Sequence, residues 1–146
     1  MTAGMLIDTS VVCASDGSPR PEIAAVLAGL RLRQAPFCLA SSLPQGAQVA
    51  LGLQDHELAG HVWSKPMGLL HTMQQLGFAA PETWLVTADS EQLRVAATAG
   101  VGAAVVVHGT PVPSPAPAIR IVVANDLADA PRVMVPVDGG CWHDHR

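Results

Sequence analysis

The chain has 146 residues, enough for one compact domain and too few for two ordinary ones. Apolar residues make up 49% and charged residues 14%, with a mean hydropathy of +0.32, which excludes a disordered chain. A net charge of −4 gives nucleic acid and anionic membranes nothing to hold, so neither is expected as a partner.

Residues 5–7 form a short apolar run that ends at Asp8 and reads as a buried strand. Residues 15–19 are a turn cluster. Residues 21–33 then carry Ile23, Val26, Leu27 and Leu30 at the spacing of an amphipathic helix. A second strand, residues 37–40, ends at Ser41-Ser42. A helix is expected after Pro44, with Val49, Leu51 and Leu53 as its apolar positions and Gly52 at its end. Residues 61–63 suggest a short strand before Ser64-Lys65-Pro66. The proline suits the first turn of a helix carrying Leu69, Leu70, Met73 and Leu76, with Gly77 as its stop. Residues 84–86 read as a strand ending at Thr87-Ala88-Asp89, followed by a helix over residues 90–99 that Gly100 ends. Further strands are expected at residues 103–107 and 119–123, then a short helix at residues 125–130. The expected division is a core over residues 1–132 and a tail over residues 133–146.

Strands alternate with helices, and the strands are continuous apolar runs rather than alternating patterns. Together these predict an α/β three-layer sandwich with a mostly parallel, Rossmann-like sheet of five or six strands. In such sheets a ligand sits beyond the carboxyl ends of the strands, at a topological switch point. The candidate residues are therefore those just after each strand: Asp8, Thr9 and Ser10, Ser41 and Ser42, Lys65, and Asp89 and Ser90. Lys65 is the single lysine among eight basic residues. The set combines carboxylates, hydroxyls and one cation. An aspartate can attack a phosphoryl group, a divalent cation can relieve the repulsion between them, and a hydroxyl and an ammonium can hold the phosphate oxygens.

The order of these segments resembles the haloacid dehalogenase superfamily, a group of phosphoryl-transfer enzymes with a Rossmann-like core. Residues 5–8 resemble its first motif, an apolar strand ending in the nucleophilic aspartate. Residues 37–41 resemble the second, Ser64-Lys65-Pro66 the third, and residues 84–90 the fourth. The resemblance covers about residues 5–130. It implies a Mg²⁺-dependent phosphatase in which Asp8 attacks phosphorus and Ser41 and Lys65 hold the phosphate. Asp8, the Ser10 carbonyl and Asp89 would then bind Mg²⁺. The implied substrate is a phosphorylated small molecule or a larger phosphate ester.

Several positions depart from the family pattern. Ser10 stands where the second aspartate, the general acid and base, is usual. Val11-Val12 replace Gly-Thr, Ala88 replaces a glycine, and Leu93 replaces a second metal-binding acid. Serine is no useful acid near neutral pH, so leaving-group protonation and water activation both suffer. The alternative is a catalytically inactive protein of the same fold, serving as a binding or assembly module. With 32 residues between Asp8 and Ser41 and 23 between Ser41 and Lys65, no cap domain is expected. A capless core could self-associate through an apolar patch.

Other signals point away from further chemistry. The three cysteines, at 13, 38 and 141, are scattered without a Cys-x-x-Cys pair, which suits a reducing compartment. The first residues lack a basic flank and a long apolar stretch, so a cytoplasmic location is expected. His56 and His61 do not have metalloprotease spacing. Cys141, His143 and His145 offer three ligands where a structural zinc site uses four.

Overall fold

The computed structural model describes residues 4–14, 16–32, 34–40, 42–107, 109–112 and 119–124. Ser41, His108, the helix expected at residues 125–130 and the tail expected at residues 133–146 lie outside the described residues.

Five strands form one parallel sheet: β1 (Met5–Ile7), β2 (Phe37–Leu39), β3 (Trp84–Thr87), β4 (Ala103–Val107) and β5 (Arg120–Ala124), in the order β2-β1-β3-β4-β5. The chain leaves β1 toward β2 on one side and returns to β3 on the other. The switch point therefore lies between β1 and β3, whose register pairs Ile7 with Val86. The first four strands are short because each carries only the apolar run needed to cross a core buried on both faces.

Alternation along the strands divides the core in two. Met5, Ile7, Leu39, Trp84, Val86 and Val105 face α2 (Pro21–Leu32), which buries Ile23, Val26, Leu27 and Leu30 as its spacing predicts. Leu6, Cys38, Leu85, Ala104 and Val106 face α4 (Pro66–Leu76) and α5 (Ser90–Ala99). Gly77 and Gly100 end these two helices in the left-handed conformation, at φ 73° and 88°, where a side chain would be strained. The thiol of Cys38 is pushed up to about 12 by burial, so it packs as a small apolar group.

Three local expectations change. A single-turn helix, α1 (Thr9–Val12), follows β1 directly, because the Asp8 carboxylate caps it by accepting from the Ser10 amide. The helix after Pro44, α3 (Gln45–Ala50), buries Ala47 but leaves Val49 75% exposed. Residues 61–63 form turns instead of a strand. There the Trp63 carbonyl accepts from Gln92 Nε2 at 2.8 Å and the indole N–H donates to Thr72 Oγ1 at 3.0 Å. These side-chain bonds hold the segment without a strand ladder.

One ion pair ties α2 to the segment behind β2. Arg31 donates to both carboxylate oxygens of the buried Glu57, at 3.0 and 2.8 Å. The bond to Arg31 holds Glu57 below the usual carboxylate range. Because its pKa is lowered on folding, Glu57 stabilises the fold above its unfolded value of 4.5, and the contribution disappears as pH falls through the folded value. Arg31 is 37% exposed, so solvent screens the pair. Glu57→Gln should then cost about 2 kcal/mol at neutral pH. Urea unfolding of both proteins across acid pH checks this: the gap should close below pH 4.5.

Candidate functional site

The backbone delivers Asp8 to the carboxyl edge of the sheet. Its amide donates to the Val86 carbonyl at 3.0 Å, which continues the β1–β3 ladder one residue past the strand. The β1–β3 register sets Asp8 against Thr87, the last residue of β3. Asp8 Oδ2 accepts from Ser10 Oγ at 2.6 Å, from Thr87 Oγ1 at 3.0 Å and from the Ser10 amide at 3.4 Å.

Each hydroxyl has one proton, and that carboxylate oxygen is the shortest contact of both that can accept it; the two hydroxyl oxygens themselves lie 3.2 Å apart. Their own oxygens accept main-chain amides of the β3–α5 turn, Ala88 N–H on Ser10 Oγ at 2.9 Å and Asp89 N–H on Thr87 Oγ1 at 3.0 Å. The result is a relay from amide to hydroxyl to carboxylate. It anchors Oδ2, while Oδ1 takes no hydrogen bond from any described residue. One oxygen is held and the other is left for chemistry.

Asp8 opens onto a cleft of about 170 Å³ lined also by Ala40, Ser42, Val62, Trp63, Ser64 and Gln92. Three post-strand loops meet there. Ser42 is fixed by a 2.6 Å bond between its hydroxyl and that of Thr9. Ser64 follows the anchored Trp63, and Gln92 on the first turn of α5 binds the Trp63 carbonyl. A larger hollow of about 400 Å³ lies behind β2, lined by Cys38, His56 and Thr72 among others, and contains none of the predicted site residues.

The sequence-predicted residues are thus partly united. Asp8 and Ser10 share one hydrogen-bond network. Lys65 is exposed at the N-cap position of α4, next to Ser64, and is not part of the cleft wall. Asp89 is exposed and caps α5, with Oδ1 accepting from the Glu91 amide at 3.0 Å. The sequence marks Ser42, beside Ser41, as a hydroxyl able to do the same job, and it assigns no separate role to Thr87, Ser64 or Gln92. Thr87 and Ser42 had a legible signal, a hydroxyl just at or after a strand end. Gln92 and Ser64 had none, because loop packing brings them in.

Mg²⁺ prefers several oxygen ligands in near-octahedral geometry. Among the described residues no group of three His, Cys, Asp or Glu side chains is placed to hold a metal. Asp89 is engaged as a helix cap, and the Ser10 carbonyl accepts from Arg20 Nη2 at 3.3 Å. Two of the three expected ligands are thus engaged elsewhere, and only Asp8 Oδ1 stays open.

No protein-family model and no curated protein matches the sequence. Solved structures do match. The cobalt-bound form of deoxy-D-mannose-octulosonate 8-phosphate phosphatase from Haemophilus influenzae superposes with a TM-score of 0.62 at 16% identity, over 85% of this chain and 75% of that one. A hydrolase of the haloacid dehalogenase family from Deinococcus radiodurans, with bound phosphate and sodium, gives 0.51 at 19% identity over 73% of this chain. The chain has the haloacid dehalogenase-like fold. A candidate beta-phosphoglucomutase from Thermotoga maritima agrees, with a TM-score of 0.57 at 14% identity over 81% of this chain. This chain spans 56% of the Deinococcus structure and 62% of the Thermotoga one. Identities this low speak for the fold. Within the haloacid dehalogenase-like fold, Asp8 follows β1 at the switch point between β1 and β3. Among the described residues no helix is long and apolar enough to cross a membrane.

Proposed function

We propose that the chain is a phosphohydrolase of low turnover, acting on a phosphate ester through an aspartyl-phosphate on Asp8. The observation that carries this reading is the asymmetric carboxylate: Oδ2 held by two hydroxyls, Oδ1 unbonded by any described residue, in a cleft at the switch point. Oδ1 attacks phosphorus, the bond from phosphorus to the leaving oxygen breaks, and the electron pair departs on that oxygen. Water then attacks the same phosphorus. The bond to Asp8 breaks, inorganic phosphate leaves and the carboxylate is restored.

The phosphate oxygens receive hydrogen bonds from Ser42 and Ser64. Ser41, expected to take this part, lies outside the described residues and flanks Ser42 in sequence. Positive potential comes from the N-terminus of α4, which has no side-chain cap and no acidic residue in its first turn, and from Lys65 beside it. No step passes through a metal.

Among the described residues, Asp8 is the only titratable group lining the cleft. Ser10 donates its proton to Asp8 and cannot protonate a leaving group. The substrates favoured are therefore those whose leaving group departs as a stable anion, such as acyl and aryl phosphates. Neither proton transfer is assisted, which keeps turnover low. A rate comparison tests this. Acetyl phosphate and nitrophenyl phosphate should be hydrolysed, with alkyl phosphates slower by at least about a hundredfold, the usual worth of one general acid. Equal rates for alkyl and acyl phosphates would contradict the reading. Binding of phosphate without turnover of any ester would favour the inactive binding module instead.

A further inference from the structure

Arg20 packs against the turn that follows β1 and takes no part in the proposed reaction. It precedes α2 and is fixed by its own backbone, its amide donating to the Val12 carbonyl at 2.7 Å and its carbonyl accepting from Ile23 at 3.1 Å. From there the half-buried side chain folds back over the end of α1. Nη2 donates to the Ser10 carbonyl at 3.3 Å and Nε to the Cys13 carbonyl at 3.5 Å. No described carboxylate forms an ion pair with it. Its charge is therefore directed at main-chain oxygens alone, a favourable place at the C-terminal end of a helical turn.

The Ser10 carbonyl is also the main-chain oxygen that the resemblance assigned to a divalent cation. A cation bound there would have to share an oxygen with a guanidinium that no described carboxylate neutralises. Like charges at that separation repel strongly where water is partly excluded. Of the other two expected ligands, Asp89 is turned to its capping bond and Asp8 keeps only Oδ1 open, a single oxygen that does not offset this repulsion.

We propose that Arg20 closes this site to divalent cations by occupying the Ser10 carbonyl, so that the cleft receives an anion without a metal. The proposal concerns the same cleft as the proposed reaction. Its readout is metal binding, which stands whether or not the chain turns over any ester.

The test is titration of Mn²⁺ into isotope-labelled protein, following paramagnetic broadening of the Ser10 and Ala88 amide signals against those of Ala28 on the far side of α2. In the native chain no selective broadening is expected at millimolar Mn²⁺. In Arg20→Met selective broadening should appear, with affinity raised by at least about tenfold. In Arg20→Lys, which keeps the charge, the site should stay closed. Selective broadening in the native chain would overturn the proposal. So would an Arg20→Met protein, folded by its amide dispersion, that binds Mn²⁺ no better than native. Should Arg20→Met not fold, Arg20→Gln takes its place in the comparison.

Discussion

Asp8→Asn should lower acetyl phosphate hydrolysis by at least about a thousandfold while leaving the fold intact. The amide is nearly isosteric with the carboxylate. Its carbonyl oxygen can still accept from Ser10 Oγ and Thr87 Oγ1, so the relay from the β3–α5 turn survives. What is lost is the nucleophilic oxygen. Stability should fall by about 1 kcal/mol, the difference between a charged and a neutral acceptor for these bonds. Initial rates and a thermal melt on the same preparation separate the two effects. A variant retaining a tenth or more of native activity would exclude Asp8 as the nucleophile.

Gly68→Ala should destabilise the chain by about 3 kcal/mol, lowering the melting temperature by roughly 10 °C. A Cβ at this helical position would overlap the Val62 carbonyl oxygen, and that obstacle is backbone rather than a yielding side chain. To relieve it the 60–65 segment must lift from α4. Trp63 would then lose its bonds to Thr72 and Gln92, and Ser64 would leave the cleft. Activity should therefore fall along with stability. Gly29→Ala on α2 is the matched control. Nothing lies within contact of a Cβ there, and replacing a helical glycine should stabilise by about 0.5–1 kcal/mol. Equal melting temperatures for the two variants would refute this account of how the loop is held.

The contrast between these glycines shows where the sequence stops being legible. Gly68 and Gly29 both sit inside helices of amphipathic pattern, and nothing local distinguishes them. The difference comes from a loop that crosses α4 tightly, and loop paths leave no periodic signal. The strands were legible for the opposite reason. β1, β2 and β3 are apolar runs that lead into a polar residue, a pattern that a sheet covered on both faces produces, whereas β5 opens on the exposed Arg120. Asp8 was legible as the residue that ends the first of these runs. Thr87 gained a role only through the register that places β3 beside β1. That pairing joins residues 79 positions apart. The turns at residues 61–63 were misread as a strand because Val62 and Trp63 favour strands by type. Val62 is exposed, and Trp63 is buried by insertion toward α4 rather than by pairing. Ser10 illustrates a subtler limit. Its identity announced the loss of an acid, but its new part in holding Asp8 follows from a hydroxyl small enough to bond both the carboxylate and the Ala88 amide.

If Asp8 accepts a phosphoryl group, the aspartyl-phosphate can be trapped. Native protein is mixed with acetyl phosphate, quenched in acid, which preserves an acyl phosphate, and digested for mass spectrometry. The account predicts the mass of one phosphoryl group on the peptide containing Asp8. The label should be absent in Asp8→Asn and should persist longer in native protein than a general base would allow, because Ser10 does not activate water. Hydrolysis of acetyl phosphate by native protein with no label at Asp8, or with the label on another residue, would contradict it.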